Sequence, residues 1–140
     1  MDEKVRQAIA GAVKREAFAQ TLNMKLVELE DGHSVVEMVY DPETMDNMCD
    51  RTHGGALFGL IDEAFETAAQ TNGTIAKALN VNITWVTSPQ PGSTLRAEAT
   101  QVNQTKRTAN FDIQITDQDG NLIAACQALA YRTGKPIPFL

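Results

Sequence analysis

The chemistry of this chain is most readily placed on one segment, which opens at His53-Gly54-Gly55 and carries Asp62 eight residues after Gly54. The first N–H groups of a helix have no intrahelical acceptors, and the aligned peptide dipoles leave roughly half a positive charge there. Gly54 and Gly55 lack a Cβ, so a ligand oxygen can approach their amides closely. Such an end can stabilise the oxyanion formed when a carbonyl carbon is attacked, and one donor of this kind is typically worth about 10²–10³ in rate. A structural reading stands beside it: glycines also let a loop turn into a helix or pack against a sheet.

Asp62 borders the apolar stripe of that helix. Leu57, Leu60, Ile61, Ala64, Phe65 and Ala68 recur at helical spacing, and Asp62 flanks Phe58 and Ala69 at their margin. A carboxylate bordering an apolar face is partly desolvated, which raises its pKa and its reactivity. Glu66, four residues on, is a like-charge neighbour acting in the same direction, while Glu63 and Gln70 are expected on the opposite, solvated side. Asp62 also fits the role of an edge residue bonded to a neighbouring strand. At ~1.5 Å rise per residue it lies about 12 Å along the axis from Gly54. One helix therefore cannot bring both groups to the same carbonyl. If both act on one substrate, two chains contribute, as in a symmetric dimer with antiparallel central helices.

The elements that must hold these residues follow from periodicity. Val5, Ile9, Ala12, Val13 and Ala17 predict an amphipathic helix over residues 3 to 20. Asp31-Gly32 marks a hairpin between strands at Met24–Leu29 and Ser34–Tyr40. Asp41 to Thr52 has no periodicity and is expected to be an irregular polar loop, a common place for function. The main helix runs from Gly54 to Thr71 and is stopped by Gly73. Four alternating segments follow, around Val81–Trp85, Leu95–Ala99, Phe111–Thr116 and Leu122–Tyr131, with a turn at Asp119-Gly120. Helix, two strands, a long buried helix and four strands give an α+β domain with a largely antiparallel sheet wrapped around the central helix.

Composition limits the partners. In 140 residues there is room for one domain, and a net charge of −6 opposes nucleic acid as the main partner, since phosphate neutralisation calls for a basic face. The N-terminal residues show no apolar signal-peptide core, and no apolar run approaches the ~20 residues that span a bilayer, so a cytoplasmic, non-membrane protein is expected. Cys49 and Cys126 lie in unlike contexts and suggest no disulfide framework. Cys49 and His53 form half a zinc site at best, and a complete one normally needs four N or S ligands, so no metal is expected.

The run His53-Gly54-Gly55-Ala56-Leu57-Phe58-Gly59-Leu60-Ile61-Asp62-Glu63-Ala64-Phe65 closely resembles the signature of PaaI-type hotdog-fold thioesterases, roughly H-G-G-x-x-F-x-L-x-D-x-A-F. Asn47, six residues before the histidine, fits the same pattern, and Asn82-Ile83-Thr84, the Pro-Gly-Ser-Thr-Leu segment ending at Leu95 and Asp117 to Ile123 resemble the family's later strands. The resemblance spans about residues 22 to 132, with the helix motif as its specific part. It implies a hotdog core over 22–134 preceded by the helical segment 1–21, assembly as homodimers and often homotetramers, and sites at the dimer interface. By position it implies Asp62 as the catalytic carboxylate, either general base or nucleophile. Gly54 N–H from the other subunit would polarise the carbonyl, Asn47 would hold the carbonyl or water, and His53 would shape the oxyanion site. The implied substrate is an acyl-CoA thioester, small, medium or aryl, with coenzyme A as part of the substrate and no separate cofactor. Lys106-Arg107 stand where similar proteins place basic residues against the nucleotide, with Lys77, Arg132 and Lys135 as weaker candidates; an ordinary solvated charge pair is the other reading. Ile61, where the family often has alanine, and the acidic Glu63 and Glu66 depart from the pattern. Two further functions remain open: a non-catalytic acyl-CoA-binding or regulatory module, and a hydratase or dehydratase, whose usual histidine beside a Pro-Gly turn is not matched here.

Overall fold

A computed structural model describes residues 1–140. The chain runs α1 (Glu3–Val13), α2 (Ala17–Thr21), β1 (Lys25–Glu30), β2 (His33–Val39), α3 (Pro42–Met45), α4 (Gly54–Ala69), β3 (Thr74–Trp85), β4 (Thr94–Gln104), β5 (Thr108–Thr116) and β6 (Leu122–Pro136). The six strands form one antiparallel sheet in the order β1-β2-β4-β5-β6-β3. Its inner face closes on α4, as the alternating segments required.

Helix α4 is nearly apolar on the side that meets the sheet, and Leu57, Leu60, Ile61, Ala64, Phe65 and Ala68 are all buried there. Phe65 meets Phe111 of β5 edge-on, with ring centroids 5.3 Å apart. Each fully buried Leu, Ile or Phe of this kind contributes roughly 1.5–3 kcal/mol. The back of α4 is covered too. A Cβ at Gly59 would lie 2.8 Å from the Phe18 ring, so the glycine is what lets α2 lie against the helix. Thr67 Oγ1 is 2.7 Å from Ser34 Oγ of β2 and donates to Glu63 O, tying the helix to the sheet with no buried hydroxyl unsatisfied at that contact.

Several expectations are corrected. The N-terminal segment is two helices, because the chain tightens over Lys14–Glu16 with Arg15 N→Ala12 O and Glu16 N→Val13 O bonds. The break changes the helical phase: Ala19 is buried and Ala17, expected on the apolar stripe, is exposed. Glu63 and Gln70, expected in solvent, are only 3% and 7% exposed. The reason is tertiary, since the periodicity of α4 says nothing of the N-terminal helices laid over its far side. The loop Asp41–Thr52 contains α3, capped by the Asp41 side chain on Glu43 N and started by Pro42. Strand β3 begins at Thr74 rather than Val81; register shifts at Thr74/Ala76 and Ala78/Asn80 put its first half out of phase with simple alternation. Lys106 and Arg107 sit in the turn between β4 and β5.

Candidate active site

Helix α4 starts at a cap that allots its amides unequally. His53 is the N-cap, and its Nδ1 accepts from Gly55 N at 2.8 Å. Nδ1 is the acceptor in this cap, which leaves Nε2 as the ring nitrogen facing away from the helix end. The N–H of Gly54 has no acceptor within the chain. Of the two glycines, Gly54 thus keeps a free amide at the positive end of the helix, while the amide of Gly55 is spent on His53. A Cβ on Gly54 would lie 3.2 Å from Trp85 Cζ2, so the indole at the end of β3 packs against this glycine.

Asn47 shares the space in front of Gly54. Its Oδ1 accepts from Cys49 N at 2.8 Å and Arg51 N at 3.3 Å, which folds the loop before α4 into a tight turn. That leaves the Nδ2 hydrogens as its donors toward a cleft of about 320 Å³ lined by Asn47, Thr52, Gly54, Leu57 and Trp85. Thr52 and Trp85 were not singled out from sequence. Thr52 Oγ1 is buried without a hydrogen-bond partner of normal geometry, and nothing in the type or spacing of either residue signals its place. Nearby, the Tyr40 hydroxyl donates to Asp46 Oδ1, and burial raises its pKa.

Asp62 does not line this cleft. It is half-buried in the middle of α4, makes no ion pair or side-chain hydrogen bond, and burial pushes its carboxyl above the ordinary aspartate value. The edge-residue reading, in which a strand would hold Asp62, finds no such bond. Cys126 of β6 is no rival nucleophile: burial first, then the charges of Asp112 and Asp62, push its thiol up to about 11. Both cysteines are free, Cys49 exposed and Cys126 buried.

Glu63, beside Asp62, is pushed up to about 8, mainly by burial and then by the charges of Glu16 and Glu66. The linkage sign follows: a carboxyl raised from 4.5 binds its proton more tightly in the folded state, so stability is lost as pH rises from about 5 to 8. In chelator-treated protein, Glu63→Gln is expected to flatten the fall of Tm between pH 5 and 8 and to exceed wild type at pH 8. An unchanged pH profile would refute it.

The cationic candidates are placed in the β4–β5 turn and beside it. Arg107 Nη1 donates to Tyr131 Oη at 2.9 Å, Arg132 Nη1 donates to Thr105 O at 2.7 Å, and Lys77 is in register with Tyr131. None of these basic groups is paired with a carboxylate. Lys77 stands eight residues before Trp85 on β3, roughly 26 Å away at ~3.3 Å per residue. Within one chain they are far from the Gly54 cleft.

Comparison with known proteins agrees with this layout. Residues 51–124 match the family model of the Thioesterase superfamily, a span that takes in the cap, α4 and the strands through the start of β6. The acyl-coenzyme A thioesterase PaaI of Escherichia coli is 30% identical over 98% of this chain and 97% of its own length. Its solved structure superposes with a TM-score of 0.90 over 96% of both chains. A Streptococcus mutans protein solved with acetyl-CoA bound matches at 26% identity and TM-score 0.77, covering 82% of this chain and 92% of that one. With the antiparallel sheet closed on α4 and a near-full-length match to PaaI in both sequence and structure, the chain is a hotdog-fold thioesterase of the Thioesterase superfamily.

Proposed function

We propose that this protein hydrolyses acyl-CoA thioesters at a site shared by two copies of the chain. One observation carries the reading: a free helix-terminal amide at Gly54 and an unpaired, desolvated carboxylate at Asp62 lie on the same helix, about 12 Å apart by its rise. Neither group is used by its own fold, and the two cannot meet on one carbonyl within one chain.

The edges of the sheet suggest how a second copy completes the site. Strand β1, at one edge, is blunted by Lys25, Glu28 and Glu30 and by a bulge between Leu26 and Glu28. Strand β3, at the other, has twelve residues, a single charge at Lys77, and no strand pairing with its outer side. A long edge of this kind calls for a covering strand. Two β3 strands paired antiparallel across a twofold axis would bring each chain's Lys77 end toward its partner's Trp85 end. That places the unpaired cations Lys77, Arg107 and Arg132 of one copy on the side of the other's Gly54 cleft, as the phosphates of a coenzyme A substrate require. The acyl-CoA named in PaaI and the acetyl-CoA bound to the S. mutans protein support that substrate class.

In the reaction, Gly54 N–H and Asn47 Nδ2 of one copy hold the thioester oxygen, and Asp62 of the other faces the carbonyl carbon. As general base, Asp62 takes a proton from water as the water oxygen bonds to the carbon. The oxyanion collapses, the C–S bond breaks, and the thiolate leaves and is protonated, giving acid and free coenzyme A. Attack by the carboxylate itself, through an anhydride that water then opens, uses the same geometry. Free-thiol release over a panel of short, medium and aryl acyl-CoAs is expected to show turnover. Tight binding without thiol release would instead favour a binding module.

Ionised Asp62 is needed in either route. Its carboxyl is raised, so kcat/KM should fall on the acid side at a pH above the ordinary aspartate range. A profile flat down to pH 4 would remove Asp62 from the chemistry.

A further inference from the structure

We propose a divalent-cation site between the N-terminal helices and the back of α4, formed by the carboxylates of Glu16, Glu63 and Glu66. It goes beyond the thioester reading and lies apart from the Gly54 cleft.

One carboxylate oxygen from each of the three lies within 4.8 Å of one from each of the others. A hard cation such as Ca²⁺ binds oxygens at about 2.3–2.6 Å, so one ion reaches all three corners after shifts of a few tenths of an ångström. The donors are all oxygen, a set that suits Ca²⁺, Mn²⁺ or Mg²⁺ and not the thiolate or imidazole metals. This ligand class is invisible to a count of Cys and His.

A cluster of acids alone would not justify a ligand. The second observation is Glu63, which is 3% exposed and whose Oε1 is buried with no hydrogen-bond partner. Buried carboxylates are ordinarily paired, bonded or bound to metal. None of the four ion pairs in the molecule involves Glu16, Glu63 or Glu66. Arg15, Glu16 and Glu66 line a cleft of about 410 Å³ beside buried Glu63, yet Arg15 pairs with none of the three glutamates. Glu16 is the N-cap residue of α2 but makes no side-chain cap bond, so its carboxylate is not committed to the helix end and faces Glu63 instead. The only hydrogen bond to Glu66 is from Gln70 Nε2, at 3.4 Å on Oε1, which leaves Oε2 open. Three available carboxylates, one of them sealed from water, thus converge at the joint where the chain breaks between α1 and α2. A bound cation would clip that joint to α4, and its binding would add directly to folding stability.

The test is a calorimetric and thermal titration of the full chain, stripped with chelator, against CaCl₂, MnCl₂ and MgCl₂ separately at pH 7.5. NaCl of matched ionic strength is the control. The expected result is one cation per chain and a Tm rise of about 5–10 °C at about a hundredfold excess over Kd. Glu63→Gln is expected to abolish the response. Glu66→Gln, on the exposed rim where folding is not at stake, is expected to weaken affinity at least about tenfold by removing one charged ligand. Two results would overturn the site. One is a cation response that both variants retain, the mark of non-specific binding. The other is no response to any of the three ions; a protonated-carboxyl infrared band that disappears in Glu63→Gln would then mark a proton shared between Glu63 and Glu16 in place of the cation. None of these readouts uses turnover, so failure here leaves the thioesterase reading standing, and the converse.

Discussion

Asp62→Asn is expected to lower kcat for acyl-CoA hydrolysis by at least about 10²-fold, with the melting temperature unchanged or raised. The amide has the shape of the carboxylate but can neither accept the proton of water nor attack a carbonyl. Nothing in the fold depends on the charge: Asp62 forms no ion pair or side-chain hydrogen bond, and its carboxyl is raised by burial. Neutralising it also relieves repulsion with Glu63 and Glu66, both of which feel its charge. Thiol release and a thermal melt on the same preparation separate the possibilities. A variant that loses activity and several degrees of Tm together would show that Asp62 is a structural residue.

The second large effect comes from mixing two inactive proteins. Gly54→Val should block the oxyanion cleft, because even a Cβ at this position comes within 3.2 Å of the Trp85 ring. The valine meets the edge of a half-exposed side chain and not the buried core, so the fold should survive. Asp62→Asn removes the carboxylate. If each site takes Gly54 from one chain and Asp62 from the other, a mixed dimer has one site with both defects and one with neither. After subunit exchange in a one-to-one mixture, half the dimers are mixed and about a quarter of all sites are intact. The mixture is therefore expected to recover about a quarter of wild-type activity from components at or below about one hundredth. A site built within one chain predicts no recovery at any ratio. Size-exclusion chromatography confirms that dimers have formed, and native mass spectrometry, which resolves the mixed dimer by mass, confirms that they have reassorted.

The layout of the fold was legible because its rules are local. The stripe from Leu57 to Ala68 repeats with the helix, Val81–Trp85 and Phe111–Thr116 alternate as strands do, and Asp31-Gly32 and Asp119-Gly120 have the chemistry of tight turns. Each pattern is a property of neighbouring residues, so it is written in consecutive positions. The candidate site was legible in part for the same reason: His53, Gly54 and Asp62 share one short run, and the rise of a helix alone shows that the last two cannot meet. Asn47 entered through resemblance, and its bond to the turn at Cys49 and Arg51 emerged only from the coordinates.

What sequence by itself determined, then, is the helix, the alternation of the strands, and the need for a second chain if Gly54 and Asp62 act together. Tertiary structure decided which amide is free, since His53 turns back on Gly55 and leaves Gly54 open. It decided that Trp85 and Thr52 enclose that amide, and that Glu63 is buried beneath helices more than forty residues earlier in the chain. These depend on side chains brought together from distant positions, where burial and hydrogen bonding are set by the neighbour across the contact. A periodicity records which way a residue faces on its own element and carries no record of what is laid against it.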